Sequence, residues 1–351
     1  MIDNIVIERL RGIKRCVIGD FGRFNLFLGY NNCGKSTLLD GLCLFLSMDN
    51  PTANIGINRF RQLYSVGRRD LKLIFYNLKV DKPISLTGKV SGVEKAVEIS
   101  YWEKAADSFK IDEVTTQQNQ PKMEYGLSMK SYETDLPEKS VEASIYFYSD
   151  KDNKGNQKVS LEVGTEHIPY NYLSSIIGHD VSYESFLHVV KAKQEREVLE
   201  VLQKIEPSIK DIVLADNKVL VDIGLAERVP IQVMGDGVRK IFSVVVAIYD
   251  CRGGVLMVDE LENGLHFKSI PILWQAIIIA ATKFDVQVFA TTHNIDSLHA
   301  VNDILQGNEH SKVQKEWRAY TLKKNSQNEL KAYAHNYTQF NYLLNQNLEI
   351  R

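Results

Sequence analysis

The run Gly29-Tyr30-Asn31-Asn32-Cys33-Gly34-Lys35-Ser36 sets two glycines, a lysine and a hydroxyl at the spacing of a phosphate-binding loop. The glycines let the backbone wrap a polyphosphate. Backbone amides from Gly29 through Asn31, Asn32, Cys33 and Gly34 to Lys35, Ser36 and Thr37, at the start of a helix, offer donors and the positive end of its dipole. Lys35 is expected to reach the β- and γ-phosphates of a nucleotide, and Ser36 to ligate Mg²⁺. A second element is Val255-Leu256-Met257-Val258-Asp259-Glu260, an apolar run ending abruptly in two carboxylates. A buried parallel strand opens its C-terminal end towards a ligand crevice, so Asp259 is expected to hold Mg²⁺, directly or through water, and Glu260 to orient an attacking water. The third is His293, after the apolar run Val286–Ala290, where a neutral imidazole could bond both a γ-phosphate and that water. Lys35, Glu260 and His293 are the candidate catalytic residues.

Strands must present these residues and helices must cover them. Ile5–Leu10, Arg15–Ile18 and Phe24–Leu28 read as strands feeding the loop, and Leu38, Leu39, Leu42, Cys43, Phe45 and Leu46 recur at helical spacing after it. Between about 72 and 166 the chain alternates in short segments, Ile84–Val90, Ala96–Trp102 and Val141–Tyr148, with polar turns such as Asp150–Asn156, which predicts an antiparallel β lobe. Tyr183–Ile205 reads as helix and Ile212–Ile223 as a hairpin turning at Ala215–Lys218. Helices over Ile241–Tyr249 and Ile270–Ala281 then alternate with strands over Gly254–Val258 and Val286–Ala290, which implies a parallel sheet. Strands over Trp317–Lys323 and Leu330–Ala334 and a helix near Tyr337–Asn345 close the chain. The expected fold is α/β, with an ATPase-like core at 1–71 and 231–311, a β-rich lobe at 72–182, a helical and hairpin insertion at 183–230 and a C-terminal segment at 312–351.

Together these motifs resemble the ABC ATPase superfamily, and more narrowly its stand-alone members of the OLD (overcoming lysogenization defect), RecF and SMC groups. Gly29–Ser36 looks like Walker A, Val255–Glu260 like Walker B, His293 like the H-loop histidine and Glu262–His266 like the D-loop. Met234-Gly235-Asp236-Gly237-Val238 looks like the signature motif, with Gly235 where many ABC proteins carry serine. The resemblance implies a P-loop NTPase of ABC type that takes ATP and Mg²⁺. It also implies a head-to-tail homodimer in which Gly235, Asp236 and Gly237 of one subunit close over the nucleotide of the other. Asp236 is expected to cap the helix that follows.

Composition bounds the alternatives. With 44% hydrophobic and 25% charged residues the chain is globular, and its net charge of -2 gives no support to a dedicated nucleic-acid binder. A cluster at Arg59, Arg61, Arg68, Arg69 and Lys72 reads as a solvated face. Cys16, Cys33, Cys43 and Cys251 show no metal-ligand spacing, which fits a reducing cytoplasm, and no apolar run suffices to cross a bilayer. Transporter heads keep Walker A and signature closer together, and SMC heads separate them with long heptad arms absent here. The residues after His293 are too few for the Toprim nuclease domain that OLD proteins carry. The resemblance therefore implies an ATP-driven switch acting on a separate partner, such as a Toprim-like nuclease in anti-phage defence; the alternative is a RecF-like DNA-binding ATPase in repair.

Overall fold

The computed structural model describes residues 1–48, 50–64, 67–105, 123–149, 155–161, 168–174, 182–325, 327 and 329–346. The chain opens with β1 (Ile2–Leu10) and β2 (Ile13–Ile18), an antiparallel pair, and then β3 (Phe24–Leu28), which is buried at every position. Helices α1 (Lys35–Ser47), α2 (Ala53–Arg59) and α3 (Arg68–Lys72) follow. The lobe is an antiparallel meander of β4 (Ile84–Val90), β5 (Val93–Ala105), β6 (Met123–Glu133), β7 (Val141–Ser149) and β8 (Gly155–Leu161). After β9 (Tyr170–Leu173) come α4 (Ser182–Lys191) and α5 (Glu195–Ile205), then a small sheet of β10 (Asp211–Ala215), β11 (Lys218–Asp222) and β12 (Val229–Pro230). The last third alternates α6 (Asp236–Asp250), β13 (Val255–Val258), α7 (Ile270–Lys283), β14 (Gln287–Thr291), α8 (Ile295–Leu305) and α9 (Ser311–Lys315). It ends in β15 (Trp317–Lys324), β16 (Leu330–Asn336) and α10 (Tyr337–Asn345).

One sheet of 13 strands runs β8-β7-β6-β5-β4-β1-β2-β16-β15-β3-β14-β13-β9. The segment β15-β3-β14-β13-β9 is parallel throughout, so the C-terminal ends of β3, β13 and β14 share one edge. Side chains alternate between two cores. Phe24, Leu26 and Leu28 of β3 face a core with α6 and α7, whereas Phe27 joins Val255, Met257 and Phe289 in a second core with α1. Burial on both faces explains why these strands read as continuous apolar runs. Asn25, the polar exception in β3, bonds the Gly22 and Val288 carbonyls through Nδ2 and accepts the Gly22 amide.

The α/β P-loop fold with an antiparallel lobe is as expected, and the differences are local. Tyr183–Ile205 is two helices, because the chain turns at 192–194 with Lys193 at φ 57°. Tyr170–Leu173, on the lobe side of the expected boundary at 182, instead pairs in parallel with β13 and edges the core. The lobe is no separate sheet, since β4 pairs with β1. The expected turn at Asp150–Asn156 lies partly outside the described residues. The basic cluster is not simply solvated: the Arg61 guanidinium bonds Asp40, Arg68 pairs with Glu103, and the Lys72 ammonium lies 4.6 Å from the Tyr101 ring centroid. The last two contacts tie α3 to the lobe.

Candidate functional site

The phosphate-binding loop turns through residues that ordinary side chains disfavour. Gly29 has φ 148°, Asn32 φ 62° and Gly34 φ 115°, and a Cβ at Gly29 would meet Leu322 O and Cys33 Sγ at 2.8 Å. Lys35 is buried and its Nζ donates to the carbonyls of Gly29 (2.7 Å) and Tyr30 (3.1 Å), so the ammonium lies inside the curl of the loop. Asn31 and Asn32 are exposed, and Ser36 and Thr37 half-buried in the first turn of α1. Cys33 is buried against Gly29, so its thiol faces the protein interior.

The carboxylates arrive from β13. Ser36 Oγ donates to Asp259 Oδ1 at 3.0 Å across the sheet edge, which brings the two expected Mg²⁺ ligands together. Thr291, at the end of β14, donates its hydroxyl to the same oxygen at 2.7 Å and accepts the Glu260 amide at 2.8 Å. It therefore fixes Asp259 and Glu260 at once. Glu260 sits at φ 49°, a left-handed backbone that costs a residue with a Cβ about 1–3 kcal/mol. The Asn263 amide bonds the Glu260 carbonyl at 2.9 Å, closing a turn.

His293 is half-exposed after β14. Beside it, buried Glu262 accepts the Thr292 hydroxyl at 2.8 Å and the His293 amide at 3.4 Å on Oε1, with His293 Nδ1 at 3.9 Å from the same oxygen. Glu262 Oε2 is buried with no hydrogen-bond partner among the described residues. Lys240 of α6 is also buried; its Nζ donates to the Asn263 carbonyl, and Glu262 and Glu260 are its charged neighbours. Burial pushes this ammonium down to about 8, against the raising influence of both carboxylates.

Gly235, Asp236 and Gly237 lie at the start of α6. Asp236 does not cap it: Gly235 occupies the cap position, Asp236 is the first helical residue, and its carboxylate pairs with Arg239 at 3.1 Å. A carboxylate there still favours the helix dipole. Gly237 lies against its own chain, where an added Cβ would stand 3.0 Å from Ser269 Oγ. At Gly235 an added Cβ meets nothing within 4 Å among the described residues, and its φ of -58° suits any residue.

Within α1, Asp40 is buried with Arg11 at 3.0 Å, Arg61 at 2.7 Å and the Tyr172 hydroxyl at 3.3 Å. Burial pushes the Asp40 carboxyl up, while both guanidinium groups pull it back. Thr291, Lys240 and Asp40 are given no site role by the sequence, and Glu262 only as the first residue of the D-loop resemblance. Lys240 carried a readable signal, because it shares an apolar helical stripe with Val244, Ala247 and Cys251.

A protein from Helicobacter pylori (strain ATCC 700392 / 26695) named "ATP/GTP phosphatase" is 23% identical over 342 residues, covering 87% of this chain and 89% of its own. "Uncharacterized protein MJECL10" of Methanocaldococcus jannaschii is 43% identical over 47 residues, 13% of this chain and 22% of that one. Among solved structures, an SmcHead bound to the C-winged helix domain of ScpA overlaps with TM-score 0.48 at 13% identity, covering 95% of this chain and 98% of that one. The SMC head domain from Thermotoga maritima gives 0.44 at 9%, with the same coverage. The model of the AAA_21 family, described as "AAA domain, putative AbiEii toxin, Type IV TA system", matches residues 24–298. With Walker A, Asp259, Glu260 and His293 all inside that span, the chain belongs to the AAA_21 family of AAA domains.

Proposed function

We propose that this chain is an ATPase that binds ATP with Mg²⁺ and completes its catalytic site by pairing head to tail with a second copy. The observation that carries the reading is the 3.0 Å contact between Ser36 Oγ and Asp259 Oδ1 beside the curled loop around Lys35. A serine hydroxyl and an aspartate carboxylate are hard oxygen donors of the kind that would hold Mg²⁺ beside the phosphates. When bound, the ion neutralises charge developing on the phosphates. Lys35 exchanges the carbonyls of Gly29 and Tyr30 for β- and γ-phosphate oxygens, and the loop amides from Asn31 to Thr37 hold the polyphosphate. Glu260, with its amide held by Thr291, orients the water in line with the γ-phosphate, and His293 reads that phosphate from the next strand.

The name of the Helicobacter pylori relative supports nucleotide hydrolysis. Pairing is supported by Gly235, where nothing among the described residues demands glycine and the exposed start of α6 leaves room for another molecule. The output follows from the resemblance to OLD-like ATPases: in the cytoplasm, ATP-driven pairing switches a separately encoded Toprim-like nuclease in defence against phage. Among the described residues no helix is long and apolar enough to cross a membrane.

Light scattering tests the pairing. Glu260→Gln protein, which should hold ATP without consuming it, is expected to double in mass on adding ATP and Mg²⁺. Adding Gly235→Trp should abolish the doubling while leaving the single chain able to bind ATP. A mass that ATP never changes would overturn the pairing, and absence of ATP binding in the unsubstituted chain would overturn the whole reading.

A further inference from the structure

The two halves of the proposed composite site meet inside a single chain at Lys240. Its backbone belongs to α6, one turn beyond Gly237, whereas its ammonium reaches the loop that follows Asp259 and Glu260. There it donates to the Asn263 carbonyl, and Asn263 in turn closes the turn on the Glu260 carbonyl. The Glu262 carboxylate, its charged neighbour, is committed through Oε1 to Thr292 and to the His293 amide. Lys240, Glu260, Glu262 and His293 therefore form a chain of polar contacts and close charges running from the start of α6 to the γ-phosphate side of the sheet.

Burying an ammonium and a carboxylate together is costly unless the geometry holds both, and removing one leaves the other uncompensated. Lys240 and Glu262 are each less than a tenth exposed, and Glu262 Oε2 has no hydrogen-bond partner among the described residues. A methionine would fill the same apolar stripe of α6 beside Val244 and Ala247, so packing alone does not call for lysine here.

We propose that Lys240 is a positioning residue that couples the signature end of α6 to Glu260 and, through Glu262, to His293. This rests on the ATPase reading above and adds a consequence to it. In a head-to-tail pair, Gly235–Gly237 would touch the partner's nucleotide while Glu260 and His293 act on the chain's own, so Lys240 joins one site of the pair to the other. Engagement of α6 by the second nucleotide then shifts the turn at Glu260–Asn263 and sets the geometry of hydrolysis at the first.

The test is a double-substitution cycle of Lys240→Met and Glu262→Gln on the full chain, read by steady-state turnover of MgATP. Each single change is expected to lower kcat about tenfold to hundredfold, the usual scale for partners one shell out from reacting groups. KM and equilibrium ATP binding should stay within about twofold. Cooperativity in ATP should fall towards a Hill coefficient of one, and Lys240→Arg should restore most of the rate. The double variant should be no slower than the worse single one, because both act through one coupling. A merely structural lysine would instead lower thermal stability and leave kcat and the Hill coefficient of the folded fraction unchanged. That result would overturn the proposal, as would losses in kcat that multiply in the double variant. Should Lys240→Met fail to fold, Lys240→Gln takes its place in the same cycle. An unsubstituted chain that does not turn over ATP would refute the ATPase reading itself, whereas an active one with an indifferent Lys240 refutes only the coupling.

Discussion

The parallel edge that carries the site and the antiparallel lobe belong to one hydrogen-bonded sheet, yet they are built on opposite terms. In β3, β13 and β14 every residue is buried, and the polar groups collect where the strands stop. In β4, buried and half-buried residues strictly alternate, so polar groups spread along one face of the sheet. The first arrangement concentrates Lys35, Ser36, Asp259, Glu260 and Thr291 at one edge. In the second, charges pair across neighbouring strands in solvent, as Lys104 and Glu124 do at 3.7 Å. The same residue types therefore carry different weight in the two regions: a carboxylate at the edge can do chemistry, whereas one on the lobe pairs with a neighbouring cation.

Substitution at the two kinds of carboxylate should widen that contrast most. Lys35→Ala is expected to abolish ATP binding, and Glu260→Gln to keep binding while lowering kcat by about 10²–10⁴-fold. Glu142→Gln in the lobe should leave kcat within about twofold; a comparable loss there, by a phosphate-release assay, would erase the distinction.

Stability should separate the regions next. Asp40→Ala leaves Arg11 buried without its carboxylate and is expected to cost about 3–5 kcal/mol by urea titration. Breaking the exposed Lys104–Glu124 pair should cost about 1 kcal/mol or less. Similar losses at both would mean that the Asp40 cluster is not the buried anchor of α1.

A finer probe is Thr291→Val, which keeps the shape of the side chain but removes the hydroxyl shared by Asp259 and the Glu260 amide. It is expected to lower kcat about tenfold to hundredfold, with a smaller effect on KM. An unchanged kcat would show that the turn at Glu260 holds its geometry without Thr291.

A further probe is pH. Lys240 ionises at about 8 in the folded chain, below the 10.5 of a free lysine, because burial disfavours its charge. Between these values the unfolded chain binds more protons than the folded one, so stability should rise with pH across that window. Below about pH 8 the cost of the buried charge is fully present. Subtracting the same profile for Lys240→Met isolates the effect; a difference that stays flat would count against it.

How far the sequence disclosed this molecule follows from where each signal is stored. The loop Gly29–Ser36 and the run Val255–Glu260 are local patterns, and the elements around them, such as the hairpin at Ala215–Lys218 and the helix at Tyr337–Asn345, appear almost residue for residue. β9 was unreadable because Tyr170–Leu173 is only four residues long with an asparagine inside, and its partner β13 lies over 80 residues further on. Thr291 and Thr292 resemble the polar start of a loop until the sheet sets them beside Asp259 and Glu262. Asp236 invited a capping role by its type, but the helix begins one residue earlier than that role requires. The differences fall where long-range pairing, invisible to local spacing, decides what a residue touches.

The strand that feeds the phosphate-binding loop has a timing problem. β3 is flanked by β14 and β15, and neither neighbour is made until more than 250 residues after it. At the ~5–20 residues per second of protein synthesis, Phe24–Leu28 waits roughly 15–60 s for its second flank. Until β14 is made, a fully buried strand has no native partner on either side, and until β15 is made it has one. The nucleotide site is thus incomplete on the ribosome until β15 has been made, and a chain released short of β15 would carry its phosphate-binding loop on a strand open along one side.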